Sequence, residues 1–455
     1  MTIASEITDL QTNLANAKDA VTAKGGTVGD TGLAGLASEI ATIPSGGGNA
    51  DKCVKFFDYN GDLVASYTVA EANALAELPS APTHADLEFV EWTETLAHVN
   101  GATGPMHIGA TFQDALSHGN DTTVTYHPIS DNPSVSFRFQ QDVENGVTVD
   151  WGDGSTPETF SGTGNITASH TYTYSVSSGG TSVPYFIRLS PASGTTLTLG
   201  HGNNNTYFFS GAAGTRSKIV LGRCNLGNYW SYYSTSWSEI IISKNIGSLT
   251  GTGLLDSPNI SAASMVSCVV IPKNFPIGSG VNIRSQILET VIVPSDLTNY
   301  FLNLMGYINK QMPVLEGCTG LTLSYSGGTT EIEIPNTNTH FYGCSDSYAL
   351  RKITIPASVT SISGSSFSNC YSLKEIAFKD RDSLTFIPNN LFNSNTRYIS
   401  IETIDLTDFT QIPAVNSYFF AGLPFYTKIL VPSSLAATWK TTSGWSARSS
   451  QIVGV

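Results

Sequence analysis

The chain is poor in charge. Of its 455 residues only 13% are Asp, Glu, Lys or Arg, against roughly 25% in an ordinary soluble domain. The charge that exists sums to −14. That balance excludes the basic face a nucleic-acid partner requires and argues against binding to anionic lipid. No apolar run approaches the roughly 20 residues of a membrane helix, so no membrane insertion is expected. The opening residues, Met1-Thr2-Ile3-Ala4-Ser5-Glu6, lack the basic and apolar regions of a secretory signal. Assembly in the cytoplasm, without export through a signal peptide, is therefore expected.

Chemistry-bearing motifs are also missing. There is no His-Glu-x-x-His, no Gly-x-Ser-x-Gly, no Gly-Lys-Ser/Thr loop and no Gly-x-Gly-x-x-Gly. No carboxylate pair stands out as a glycosidase acid and base. The six Cys include no Cys-x-x-Cys pair and read as reduced, buried, small apolar residues. No enzyme and no cofactor are expected.

What fills the space is Gly, Ser, Thr and Asn, the composition of a turn-rich β protein. Residues 332–378 show how it is used. Ile332-Glu333-Ile334-Pro335, then Ile353-Thr354-Ile355-Pro356, then Ile376-Ala377-Phe378 are short apolar strands. Between them come polar turns, a Phe (Phe341, Phe367), a Cys (Cys344, Cys370) and a Leu (Leu350, Leu373). Strand cores of this kind begin at Ile240, Val269, Val291, Ile332, Ile353, Ile376, Ile404 and Ile429. Self-similarity at this period predicts a solenoid over 205–432. Pro after a strand ends its ladder at one place. Cys318, Cys344 and Cys370 recur at one constant interval, which predicts a single column in the stacked core. The longest gap, between 291 and 332, holds an insertion at 295–309 with helical spacing in Leu297, Phe301, Leu304 and Met305. Residues 433–455, with Trp439 and Trp445, read as the cap that covers the last open repeat.

The repeat resembles the BspA-like class of leucine-rich repeats, with Leu350 through Leu373 matching nearly position for position. The resemblance implies a binding scaffold. The N-terminal part is different. Ile7, Leu10, Leu14 and Val21 in one helix, and Leu33, Leu36 and Ile40 in a second, fall at coiled-coil spacing within residues 1–44. Either the two helices fold on each other or several chains assemble. A homo-oligomer is preferred, and a trimer among these. Residues 45–50 are a Gly-rich linker. Lys24-Gly25-Gly26, Ile43-Pro44 and the glycines after them resemble an N-terminal module of bacteriophage tail and other virion proteins. That resemblance implies attachment to other virion proteins through these helices.

Residues 51–112 read as a small unit: a strand at 54–59, an Asn60-Gly61 hairpin turn, a returning strand, a helix at 70–78 and a strand at 87–92. The order resembles β-grasp-like repeats of surface and phage proteins, which implies a spacer. Residues 121–200 read as a β-sandwich of short strands. Asp150-Trp151-Gly152-Asp153-Gly154, with His170-Thr171-Tyr172 further on, resembles the PKD (polycystic-kidney-disease) domain. Asp150 and Asp153 are a candidate Ca²⁺ pair, against the alternative that both cap a tight turn.

One stretch looks like a recognition surface. Tyr229, Trp230, Tyr232, Tyr233 and Trp237 crowd into nine residues among Ser and Thr. Rings with polar tips suit a glycan or a protein partner. The other reading is that they line a buried face. The fold class expected is mainly β and multidomain. The function expected is a virion structural protein, a tail-fibre or baseplate-associated adhesin, that binds a host cell-surface glycan or protein. The alternatives are a head fibre or capsid-decorating protein and a bacterial surface adhesin.

Overall fold

The computed structural model describes residues 52–175, 184–200, 208–210, 217–227, 230, 237–250, 253–255, 265–277, 280–298, 300–307, 318–324, 330–334, 338–363, 366–379, 400–415, 420 and 423–455. Ile7, Leu10, Leu14, Val21, Leu33, Leu36 and Ile40, the expected attachment helices and the Gly-rich linker lie outside the described residues. The described protein is mainly β with few helices. None of its helices is long and apolar enough to cross a membrane.

The chain packs as two compact units. The first comprises Met1–Phe56, Leu63–Pro79 and Thr95–His107. Its described part holds the strand Leu63–Tyr67 and two short helices, Val69–Asn73 and Leu96–Val99. Thr68 starts the first helix as a capping box: its side chain accepts from the Glu71 amide, and Glu71 accepts from the Thr68 amide. The helix is shorter than the alanine-rich run suggested: it ends at Asn73, where Ala74 leaves the helical conformation.

The second unit comprises Phe57–Asp62, Ser80–Glu94 and Ile108–Val455. The expected boundary at 112 is therefore not a boundary. Leu87–Trp92 pairs antiparallel with 110–114, Leu87 facing Asp114 and Trp92 facing Ala110, and this ribbon is fastened to later segments of the chain. Arg188 holds Asp114 through two hydrogen bonds of 2.9 and 3.2 Å. The Glu94 carboxylate accepts from the Ser295 amide and hydroxyl, both at 2.7 Å. A Cβ on Gly109 would come within 2.5 Å of Val270, so that glycine allows close packing. These polar and small residues are thus contact residues.

Two six-stranded sheets come next, ordered in space rather than in sequence. One contains Thr122–Tyr126, Val147–Asp150, Glu158–Thr159 and Tyr185–Pro191, paired antiparallel. The other is built on Ser134–Gln141, which pairs antiparallel with Gly164–Thr171 and Leu197–Leu199. Strand alternation explains the burial: Val135, Phe137 and Phe139 point inward and are buried while their neighbours face out.

Neither sheet ends where the sandwich was expected to end. In the first, Thr122–Tyr126 pairs antiparallel with Ser217–Leu221, which pairs parallel with Trp237–Ile242. In the second, Leu197–Leu199 pairs parallel with Cys224–Leu226, and that strand with Ile246–Leu249. Both sheets thus change from antiparallel to parallel and run on into the repeats. One apolar core extends from Val124 to Ile452. The physical reason is that an open repeat exposes its core and must be covered. Here the sandwich covers the first repeat.

The repeats themselves stack in register. Ile332, Ile353, Ile376, Ile404, Ile429 and Ile452 are paired neighbour to neighbour in one parallel sheet. All six are buried, and each contributes about 1.5–3 kcal/mol of apolar transfer. Val269 pairs with Val291 in the same way. The expected strand cores are thus all on strands. The opposite sheet stacks Val281, Leu302, Leu321, Phe341 and Ile362.

Three expectations change. The helical look of 295–309 is overruled: Tyr300–Tyr307 is a strand, paired parallel on both sides. Its Tyr300, Leu302 and Leu304 are buried at period two, and the pairing partners outweigh the local helical spacing. The constant Cys interval does not make one column. Cys344 and Cys370 do touch, with sulfurs 3.8 Å apart. Cys318 instead begins a strand beside Tyr300 and meets Asn338. Leu350 and Leu373 set the true register, and the turn after Cys344 is longer than the turn after Cys370. Finally, the cap is more than a cover. Trp439 and Trp445 are buried, their rings 4.6 Å apart, and the strand Ile452–Gly454 pairs with Lys428–Val431.

Candidate functional site

Of the aromatic stretch singled out in the sequence, the two described residues do not reach the surface. Trp230 and Trp237 are both fully buried. Trp237 opens a strand and lies 5.4 Å from the Phe209 ring. A Cβ on Gly200 would come within 2.8 Å of the Trp230 backbone, and Gly200 has φ +73°, so glycine is required there for close approach. Tyr229, Tyr232 and Tyr233 lie outside the described residues. The buried alternative holds for both tryptophans, and both belong to the continuous apolar core.

The Asp150 and Asp153 pair is turn chemistry. Asp150 Oδ1 accepts from the Gly152 amide at 2.9 Å. Asp153 Oδ1 accepts from the Ser155 amide and hydroxyl, and Oδ2 meets His170 Nε2 at 2.8 Å. Partial burial opposes the Asp153 charge, but the Ser155 hydroxyl and amide and the His170 ring outweigh it and hold the carboxyl at about 2. The same His170 ring stacks on Trp151 at 5.0 Å, and the Tyr172 hydroxyl donates to the Trp151 carbonyl at 2.9 Å. Both carboxylates are committed to holding this corner. Among the described residues no group of three His, Cys, Asp or Glu side chains could hold a metal ion.

The buried thiols are equally uninviting as chemistry. Burial pushes Cys224 up to about 12 and Cys318 up to about 11. It also raises Cys344, with Cys370 adding to the effect. A protonated, enclosed thiol is neither nucleophile nor ligand.

What the fold does expose is a row of aromatic turns on the repeats. In each of two successive repeats the turn before the isoleucine strand reads Asx-x-Tyr-x-Leu. The segments are Asp346-Ser347-Tyr348-Ala349-Leu350 and Asn369-Cys370-Tyr371-Ser372-Leu373. The leucines, Ser347 and Cys370 point inward and are buried. Tyr348 is 50% exposed and Tyr371 41%. Their rings are parallel to within 14°, with centroids 5.8 Å apart. At van der Waals plane separation this spacing requires a lateral offset, so the rings overlap only in part.

The rings are held in place. Asp346 and Asn369 have φ of 59° and 58°, the left-handed region that Asx residues tolerate best. The Tyr371 hydroxyl donates to Asn369 Oδ1 at 2.9 Å and the Tyr348 hydroxyl to Asp346 Oδ1 at 3.4 Å. Asn369 Nδ2 donates to Asp346 Oδ1 at 2.8 Å. The Asp346 amide donates to the Ser368 carbonyl at 2.9 Å. Each turn is therefore locked to the next. Further along, Phe425 is 87% exposed, with the Arg448 guanidinium 4.7 Å from its ring centroid.

Sequence reasoning missed this row because its residues are spread over two repeats. The signal was present. Aligning the repeats on their buried Leu, rather than on Cys, superposes Asp346 on Asn369 and Tyr348 on Tyr371.

The outward side of the isoleucine sheet is a second surface, crossed by ion pairs between successive strands. Lys352 meets Glu375 at 2.6 Å, and Lys374 meets Glu402 at 2.6 Å. The Glu375 hydrogen bond, against a smaller burial effect, raises the Lys352 pKa. Paired charges present no single-sign field to steer a charged ligand. A hollow of about 450 Å³ lies beside the cap, lined by Asp408, Phe409, Pro432 and Leu435 among others. Nothing in it converges as a catalytic set.

Comparisons with known proteins bear on part of the chain. Residues 323–440 match the BspA type leucine rich repeat region, in six copies. No curated protein matches the chain. Among solved structures it is similar to a leucine rich cell surface protein from Faecalibacterium prausnitzii A2-165. Identity is 16% and the TM-score 0.22, over 52% of this chain and 85% of that one. The repeats from Leu323 onward are thus of the BspA type, and both tyrosine turns fall within them.

Proposed function

We propose that the protein is an adhesin: a non-enzymatic chain that uses its BspA-type repeats to recognise a component of a cell surface. One observation carries this reading. The repeats that match that class present their ordered aromatic turns to solvent, on a scaffold without convergent catalytic groups among the described residues. Exposed, pre-ordered aromatics serve recognition. The sandwich, whose Asp150–Asp153 corner and His170-x-Tyr172 strand resemble a PKD domain, supports the repeats and closes their first layer.

A second reading rests on a different observation. The Lys24-Gly25-Gly26 turn, Ile43-Pro44 and the glycine run favour attachment of the same recognition body to a virion, as part of a tail fibre, baseplate or head fibre. In that case Ile7, Leu10, Leu14, Val21, Leu33, Leu36 and Ile40 form the oligomerisation seam. The two readings share the recognition face and differ in what carries it.

The test is direct. Fluorescently labelled full-length protein is incubated with bacterial and animal cells, and immunogold labelling locates the native chain. Saturable cell binding supports the adhesin. Gold on cell envelopes favours the first reading, and gold on phage particles the second. Absence of saturable binding to every cell type overturns both.

A further inference from the structure

We propose that the Tyr348 and Tyr371 turns form a platform for a neutral, extended oligosaccharide. The inference deepens the adhesin reading and rests on it. Sugars present flat faces of C–H bonds edged by hydroxyls. A matching site needs an aromatic face with hydrogen-bonding groups at its rim. Here two near-parallel rings, 5.8 Å between centroids, are rimmed by the Asp346 carboxylate and the Asn369 amide. Ser345, Ser368 and Ser372 flank them in the same turns.

The geometry favours a chain over a single sugar. The rings come from equivalent positions of successive repeats, so the platform advances along the stack one repeat at a time. Weak contacts at consecutive units then add through their effective concentration. The rings are also pre-ordered, which lowers the entropy cost of binding. Their hydroxyls are tied to Asx side chains, and those side chains are tied to each other.

Charge selects a neutral glycan. The Asp346 carboxylate accepts from the Tyr348 hydroxyl and from Asn369, and the whole chain carries −14. An anionic sugar would be repelled. A protein partner fits less well. Two half-exposed rings projecting from turns offer far less than the roughly 1,000 Å² a specific protein interface needs. They also lack the enclosed pocket in which protein anchors work.

The experiment uses the full chain on an array of neutral and sialylated oligosaccharides. It compares wild type with Tyr348→Ala, Tyr371→Ala, the double variant and Tyr371→Trp, and each variant's thermal midpoint is checked against wild type. Binding to neutral chains of three or more sugars is expected. It should fall about tenfold or more in each Ala variant, vanish in the double variant and survive in Tyr371→Trp. No binding to any neutral glycan, equal binding by the double variant, or a preference for sialylated chains overturns the platform. So does cell binding that falls in the double variant and is abolished by protease treatment of the cells but survives enzymatic removal of their glycans, which identifies a protein partner. If wild type binds cells while the platform fails, the adhesin reading stands. If wild type binds no cells, that reading fails with it.

Discussion

Two aromatic groups in this chain have opposite fates. Trp230 and Trp237 sit among Ser, Thr and Tyr in sequence, yet both are fully buried. Tyr348 and Tyr371 sit in ordinary-looking turns, yet about half of each is exposed. Polarity of the flanking residues does not separate the two groups. Position within the repeat does. Trp237 opens a paired strand, and its parallel neighbour sets which of the two faces is inside. A side chain at a turn can stand out even when the residues beside it, such as Cys370 and Leu373, are in the core.

Substitutions can break this comparison. Trp237→Ala should have the largest effect, a loss of about 3–5 kcal/mol from the cavity it leaves. Chemical denaturation of the full chain reads this, and a loss below about 1 kcal/mol would place the ring at the surface. Ile376→Ala removes one rung of the isoleucine ladder and should cost about 2–5 kcal/mol. The same measurement on Ile376→Val should give about 0.5–1.5 kcal/mol.

Gly152→Ala comes next. Gly152 has φ +75°, and a Cβ there would collide with the Phe186 carbonyl oxygen. A loss of about 2 kcal/mol is expected from combined strain and clash. An unchanged melting temperature would show that the corner does not depend on this close approach.

The Asp153–His170 contact sharpens the same corner through pH. The folded Asp153 carboxyl is held at about 2, below its ordinary 3.8. Its contribution is therefore present above 3.8 and lost as pH falls toward 2. Asp153→Asn should flatten the stability profile in that window and lower stability by a constant amount above pH 5. An unaltered acid limb would assign acid sensitivity to other carboxyls.

At the small end, Lys352→Ala breaks a pair that is about 40% exposed at the lysine and 36% at the glutamate. Solvent screening should keep the loss below about 1 kcal/mol. Tyr371→Ala should change stability by less than the ladder substitutions while reducing ligand binding. A large stability loss with Tyr371→Ala would erase the contrast between the two groups.

Much of the repeat was legible without coordinates. The strand cores at Ile332, Ile353, Ile376, Ile404 and Ile429 could be read because a buried strand and a subsequent Pro or polar turn recur at similar intervals. The cap tryptophans could be read because a repeat stack must close. The tyrosine platform could not be read in the same way. Its register depends on whether Cys or Leu is the equivalent position, and only the stacked strands decide that. Residues 295–309 show the same limit. Local spacing favoured a helix at Leu297, Phe301 and Leu304, but the neighbouring strands 280–288 and 318–324 supplied hydrogen-bond partners on both sides.

The sequence by itself determined the class of protein: turn-rich, mainly β, acidic and low in charge, with BspA-type repeats. Composition and period are one-dimensional properties, and short-range physics converts them directly into strands and turns. Tertiary structure alone decided where the sandwich stops. The two sheets change from antiparallel to parallel and continue into the repeats, so one core serves both. It also decided which aromatics meet solvent. Both outcomes depend on non-local strand pairing, in which a shift of one residue reverses every face.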